Sequence, residues 1–271
     1  MRKGMPLGWA VLAILISTTA MAQTSGAQLD RLVRSTSLIF IGTVEKLGAA
    51  TTTEIVADKN TAVVTVEEVY TPTDGLGDLR KRTITVQFDP KRPATLGERA
   101  VFFANGVAYG RGVVVREVDR FKVKDKAALD KEITVALMRR DDQKLVQRLR
   151  RANLVVVGKA VAVRPAKQPE RSGISEHDPH WHEAIIELRS VERGKYQDKQ
   201  LTILFPASND ELWSEAPKFK DGQEGLWILQ KDQKEKGPPR LRRPGYTALD
   251  ALDFQPPDRI EQVRRLAKSA H

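Results

Sequence analysis

The stretch "EHDPHWHEA", Glu176 to Ala184, holds three of the chain's four histidines: His177, His180 and His182. Imidazole nitrogens are ligands for zinc, copper and nickel, and Glu176 or Asp178 would add oxygen donors. Pro179 has no amide hydrogen for a ladder, so strand pairing is expected to begin at or after His180. His180 and His182 would then share the inward face, about 7 Å apart at ~3.3 Å per residue, with Trp181 and Glu183 outward. The other reading is a polar loop tip. Its histidines would change the local charge below about pH 6.5 with no metal at all.

A second stretch, "QKDQKEKGPPRLRRPGY" from Gln230 to Tyr246, has six basic and two acidic residues between Lys231 and Arg243. Guanidinium forks at Arg240, Arg242 and Arg243, with Lys236 and Tyr246 beside them, suit phosphates, sulfates or carboxylates. The plainer reading is a solvated loop stiffened by Pro238, Pro239 and Pro244. Nucleic acid is not expected, because stacking aromatics would accompany the cations and only Tyr246 is near. The chain has no G-x-S-x-G elbow, Gly-rich phosphate loop, H-E-x-x-H or EF-hand loop, so no catalytic centre and no cofactor are expected. Trp213 and Trp227 read as packing residues.

The elements that must position these residues come after an N-terminal leader. Arg2 and Lys3 precede the apolar run "LGWAVLAILI", and Ala20 and Ala22 form an A-x-A pattern. This is the signature of a secretory signal over residues 1–22, cleaved after Ala22, and a secreted or periplasmic location is expected. The chain has no cysteine, so neither a thiol-linked lipid nor a disulfide is available. Formal charge is +10, or about +8 without Arg2 and Lys3, which favours anionic partners.

The rest is written twice. "LDRLVRSTSLIFIGTVEKL" from Leu29 matches "LVQRLRRANLVVVGKAVAV" from Leu145, with Gly42 against Gly158. "AVVTVEEVY" (Ala62–Tyr70) matches "AIIELRSVE" (Ala184–Glu192), and "TITV" (Thr83–Val86) matches "QLTI" (Gln200–Ile203). "LGERAVFFA" from Leu96 matches "DGQEGLWIL" from Asp221, and "EVDRF" matches "ALDF", ending at Phe121 and Phe254. Parity is kept between copies: Ala62, Val64 and Val66 share one face, as do Ala184, Ile186 and Leu188. Each copy ends in a helical stripe, Leu129, Ile133 and Leu137 in the first, Ile260, Val263 and Ala267 in the second. The predicted architecture is mainly β: two tandem five-stranded OB-like barrels, each with a short leading helix and a closing helix. Residues 23–140 would form the first barrel and 141–271 the second, with a helix over Lys126–Ala152 as connector.

On Leu38–Val44, Val63–Tyr70, Ile84–Val86 and Gly97–Phe103, and their second-copy partners, the chain resembles the bacterial secreted TIMP-like and netrin-like barrel domains. The resemblance implies an OB topology, in which the first-to-second and fourth-to-fifth loops flank the ligand face. It implies no catalytic residues. The classical inhibitors present an N-terminal cysteine to a protease zinc, and this chain has none to present. Both of those loops are longer in the second copy, so they are expected to border one surface there. The function expected is that of an exported non-enzymatic protein holding an anionic ligand or a protein partner at those loops. The alternative is a metal-binding periplasmic protein using His177, His180 and His182.

Overall fold

A computed structural model of the chain describes residues 26–73, 76–109, 112–166, 177–231 and 245–269. The chain divides into two compact units, residues 1–133 and 134–271.

The first unit runs α1 (Gly26–Ser35), β1 (Leu38–Leu47), β2 (Thr61–Val69), β3 (Thr83–Gln87), β4 (Arg99–Tyr109), β5 (Gly112–Lys122) and the start of α2 (Lys126–Arg151). The strands close into a barrel in the order β1-β2-β3-β5-β4, with β3 and β5 parallel and the other neighbours antiparallel. The inner face carries the expected residues. Ala62, Val64 and Val66 are fully buried with Phe40, Ile84, Val86 and Phe102, while Glu67 is exposed. Phe40 and Phe102 stack with centroids 5.0 Å apart. Strands β1 and β4 are apolar on both faces, since Ile39, Ile41, Val101 and Phe103 of the outer face are also fully buried. Hence "LIFIG" and "AVFFA" are continuous apolar runs rather than alternating ones. Leu29, Leu32 and Val33 of α1 and Ile133 of α2 are buried as well.

The second unit holds the rest of α2, then β6 (Leu154–Pro165), β7 (Trp181–Arg193), β8 (Gln200–Pro206), β9 (Glu224–Lys231), β10 (Tyr246–Thr247), β11 (Phe254–Gln255) and α3 (Ile260–Lys268). The order β10-β8-β7-β6-β9 is closed by β10 pairing with β9, and β11 adds to β9. Ala184, Ile186, Ile203, Phe205, Trp227 and Leu229 fill the interior. On the outer face Val155, Val157, Leu226 and Ile228 pack with Leu145 and Leu149 of α2 and Val263 of α3. The matched glycines have one cause. A Cβ on Gly42 would lie 2.7 Å from Val64 Cγ1 and 2.8 Å from Thr65 O, and one on Gly158 would lie 2.3 Å from Glu187 O. Each glycine adjoins a β-bulge where the neighbouring strand crosses too close for any side chain.

The fifth strand differs from expectation. "ALDF" is not strand: Ala251–Asp253 is a 3-10 turn, and only Phe254 and Gln255 pair. The reason is Asp250 and Asp253. They form a capping box, and Asp253 also accepts from Leu249 N. Asp253 is fully buried and receives two bonds from Arg148 of α2, at 2.5 and 2.7 Å. Local side-chain bonds of this kind outcompete a ladder.

Candidate functional site

The loops between the fourth and fifth strands contrast most. In the first barrel Tyr109 pairs with Gly112, leaving two residues between. In the second, Lys231 pairs with Tyr246, and fourteen residues, 232–245, stand in the same place. The four cations expected at a site there, Lys236, Arg240, Arg242 and Arg243, lie outside the described residues. The fifth site residue, Tyr246, is placed in the barrel wall. It is buried in the interior cluster, and its ring centroid is 6.3 Å from that of Tyr196. Burial pushes its phenol above the ordinary value. Tyr246 thus packs in the barrel wall, with its ring in the interior cluster.

The expected shared surface is corrected. Lys231 N donates to Asn153 Oδ1, one residue ahead of β6, so the basic loop leaves beside the start of β6. The other long loop leaves at Pro165, the far end of the same strand. Strands β6 and β9 are antiparallel, and their C-termini must point opposite ways. The two loops do not border one rim.

The histidines sit where the long loop re-enters the barrel. His182 lies on β7 opposite Phe205 and on the inner face, its ring centroid 5.8 Å from that of Phe205. His180 is not on the strand, which starts at Trp181. Its φ is +46°, in a turn that Asp178 Oδ1 holds by accepting from His180 N. The strand spacing expected between His180 and His182 is therefore not formed; instead His182 Nδ1 is 2.9 Å from the His180 carbonyl oxygen. His177 Nδ1 is 3.1 Å from Asp210 Oδ2, and the His177 carbonyl accepts from Trp213 Nε1. Among the described residues no three His, Cys, Asp or Glu are grouped to hold a metal ion; Glu176 lies outside them. Trp213 packs edge-on against the buried Trp181, at 5.8 Å between centroids, and Trp227 is fully buried. Both are packing residues. Lys218 Nζ fixes the same connection by donating to the carbonyls of Pro206 and Trp213.

Two buried ionic groups escaped the sequence. Arg120 faces the interior of the first barrel opposite Phe102, its guanidinium 5.0 Å from the Phe88 centroid. It donates to Glu98, to both oxygens of Glu117, and to the carbonyls of Arg92 and Pro93. Burial pushes the Glu117 carboxyl above its ordinary value against the pull of Arg120. In the second unit burial likewise raises Asp253 against the pull of Arg148. Arg148 and Asp253 are more than a hundred residues apart, so no local pattern announces the pair. Each carboxylate is held by a guanidinium, an arrangement that locks structure.

No family model matches this chain, and no curated protein matches it.

Proposed function

We propose that the protein is an exported, non-enzymatic binding protein that holds a polyanion through the basic loop of the second barrel. The observation that carries this reading is the difference between the two barrels at one connection. The first closes with two residues between Tyr109 and Gly112, whereas the second inserts fourteen residues between Lys231 and Tyr246. The first barrel closes without them, and five of the fourteen are Lys or Arg against two acidic residues. Arginine forks among stiffening prolines suit phosphate, sulfate or carboxylate groups. Both barrel interiors are filled by side chains, which directs binding to the outside. Export follows from the basic, apolar and A-x-A pattern of residues 1–22. Among the described residues no helix is long and apolar enough to cross a membrane.

The test is retention on a sulfated glycan polymer as salt is raised. The wild-type protein should bind and elute with a steep salt dependence, because each neutralised cation removes a screened contact. Arg240→Ser/Arg242→Ser/Arg243→Ser should lower the affinity and flatten that dependence. Unchanged binding and salt dependence in the triple variant would remove the reading.

A further inference from the structure

The end of the second barrel from which the basic loop departs gathers cations from four elements. Arg150 and Arg151 stand in the last turn of α2, Arg193 ends β7, Lys231 ends β9, and Arg265 and Lys268 stand in the last turn of α3. Contacts join these elements to one another. Arg193 donates to Leu149 O at 2.6 Å, which lays its guanidinium against the end of α2. Asn153, two residues beyond Arg151, accepts from Lys231 N. Arg193 and Gly194 border a cleft whose other wall includes Arg265 and Lys268. The carboxylates of that cleft, Glu192 and Glu261, are both bonded to Arg264, at 2.7 and 2.6 Å. Among the described residues no ion pair joins any of the six cations to a carboxylate.

Cations in the last turn of a helix are ordinary, because they complement its dipole. The comparison of the two copies goes further. When the matched segments are continued, Arg151, Arg193 and Lys231 stand where the first copy has Ser35, Thr71 and Gly106. Those three residues serve the first barrel's own backbone. Ser35 Oγ donates to Leu32 O, Thr71 Oγ1 accepts from Ile39 N, and Gly106 N donates to Ser37 Oγ. Three neutral positions are thus cations in the copy that carries the basic loop, at the end where that loop leaves. Packing does not call for the helix-borne ones, since Arg150, Arg151, Arg265 and Lys268 are exposed.

We propose that the polyanion held by the basic loop is a linear anionic glycan that continues across this end of the barrel, over Arg150, Arg151, Arg193, Lys231, Arg265 and Lys268. The inference rests on the proposed function and adds the class of ligand. Six cations on four elements exceed what one sulfate or phosphate can contact, whereas a chain with charges at intervals meets them in turn. Strands β7 and β9 flank β6, so Arg193 and Lys231 leave strands about 10 Å apart. Among the described residues this end offers nucleic acid no free ring for stacking, because Tyr196 and Tyr246 pack against each other and Tyr246 is buried. An anionic membrane would be met by an apolar face beside the cations, but the apolar stripe of α3 is turned inward, with Val263 buried. Once the loop engages the chain, contacts at the end become intramolecular, so they add affinity that the scattered cations do not supply alone.

The test is calorimetric titration of the chain from residue 23 onward with two dextran sulfates, a tetrasaccharide and a long polymer. The polymer should bind more tightly and with the steeper salt dependence. Arg150→Gln/Arg151→Gln/Arg265→Gln/Lys268→Gln should weaken polymer binding by about tenfold or more, flatten its salt dependence, and affect the tetrasaccharide far less. An unchanged urea midpoint checks that this variant is folded. Should it unfold early, Arg151→Ser/Lys268→Gln should show the same bias toward the polymer at smaller size. Arg240→Ser/Arg242→Ser/Arg243→Ser should weaken both ligands. If that triple variant weakens both while the quadruple variant weakens neither, or weakens both by one factor, this inference is overturned and the proposed function stands. If the triple variant changes neither, the proposed function fails and this inference with it. Binding of single-stranded DNA or of anionic phospholipid vesicles that is tighter than that of the polymer, and lost in the quadruple variant, would overturn the assignment to a glycan.

Discussion

The two barrels close differently, although their first four strands follow one pattern. In the first, β5 is a single strand of eleven residues that pairs with β3 and with the whole length of β4. Its charged residues, Glu117 and Arg120, turn inward and saturate one another at the barrel wall. In the second, the fifth strand is cut into two pieces of two residues each, and the turn between them is pinned by Asp253 to Arg148 of α2. The first barrel carries its buried charge as part of its wall. The second uses buried charge to replace the ladder it gave up. The lost ladder coincides with the inserted basic loop, so the copy that became looser in backbone is also the one that acquired new surface.

This contrast can be broken by removing either ionic centre. Arg120→Met should have the largest effect, about 3–5 kcal/mol, because it strands Glu98 and Glu117 in the first barrel. Urea unfolding followed by tryptophan fluorescence would miss it, since all described tryptophans lie in the second unit; far-ultraviolet circular dichroism should show the first transition moving. Asp253→Ala should destabilise the second unit by a comparable or slightly smaller amount, about 3 kcal/mol, by leaving Arg148 and the amides of Leu249 and Asp250 without their acceptor. Here the tryptophan signal should move. If either substitution shifts both units equally, the assignment of one charge centre to each closure is wrong.

Smaller effects sharpen the comparison. Gly42→Ala and Gly158→Ala should each cost roughly 1–3 kcal/mol by overpacking. Gly158 should be the worse, since its added carbon meets backbone at 2.3 Å while the nearest atom at Gly42 is a valine methyl. Equal or reversed costs in equilibrium unfolding would contradict the reason given for the conserved spacing of the two copies. The smallest effect concerns pH. Arg264 bonded to Glu192 holds that carboxyl below its ordinary value. The contribution is therefore fully present above the unfolded carboxyl's pKa, about 4.3, and is lost as pH falls through the lower folded value. Hydrogen exchange should show α3 amides losing protection on acidification, and Glu192→Gln should remove that pH dependence. An unaltered profile in the variant would show that the pair does not fasten α3.

Much of this fold was legible in the sequence because pleat parity is local. Ala62–Val66 and Ala184–Leu188 announce their buried faces within a few residues, and Gly42 and Gly158 mark equivalent crossings. The helix over α2 could be read from its period for the same reason. What could not be read depends on distant partners. Nothing near "ALDF" reveals that Arg148 will bury Asp253 and turn a strand into a 3-10 turn. Tyr246 reads as a loop-end aromatic until its pairing with Ile203 and Lys231 places it in the wall. His180 reads as strand until Asp178 captures its amide.

On the proposed function, residues 232–245 serve binding and not folding. The direct measurement replaces them with Asn-Gly, a two-residue hairpin turn like that allowed by the first barrel, and compares urea midpoint and polyanion retention with wild type. Expected is a folded protein with an essentially unchanged midpoint and no salt-dependent retention. A protein that fails to fold, or one that folds and is retained as before, would contradict it.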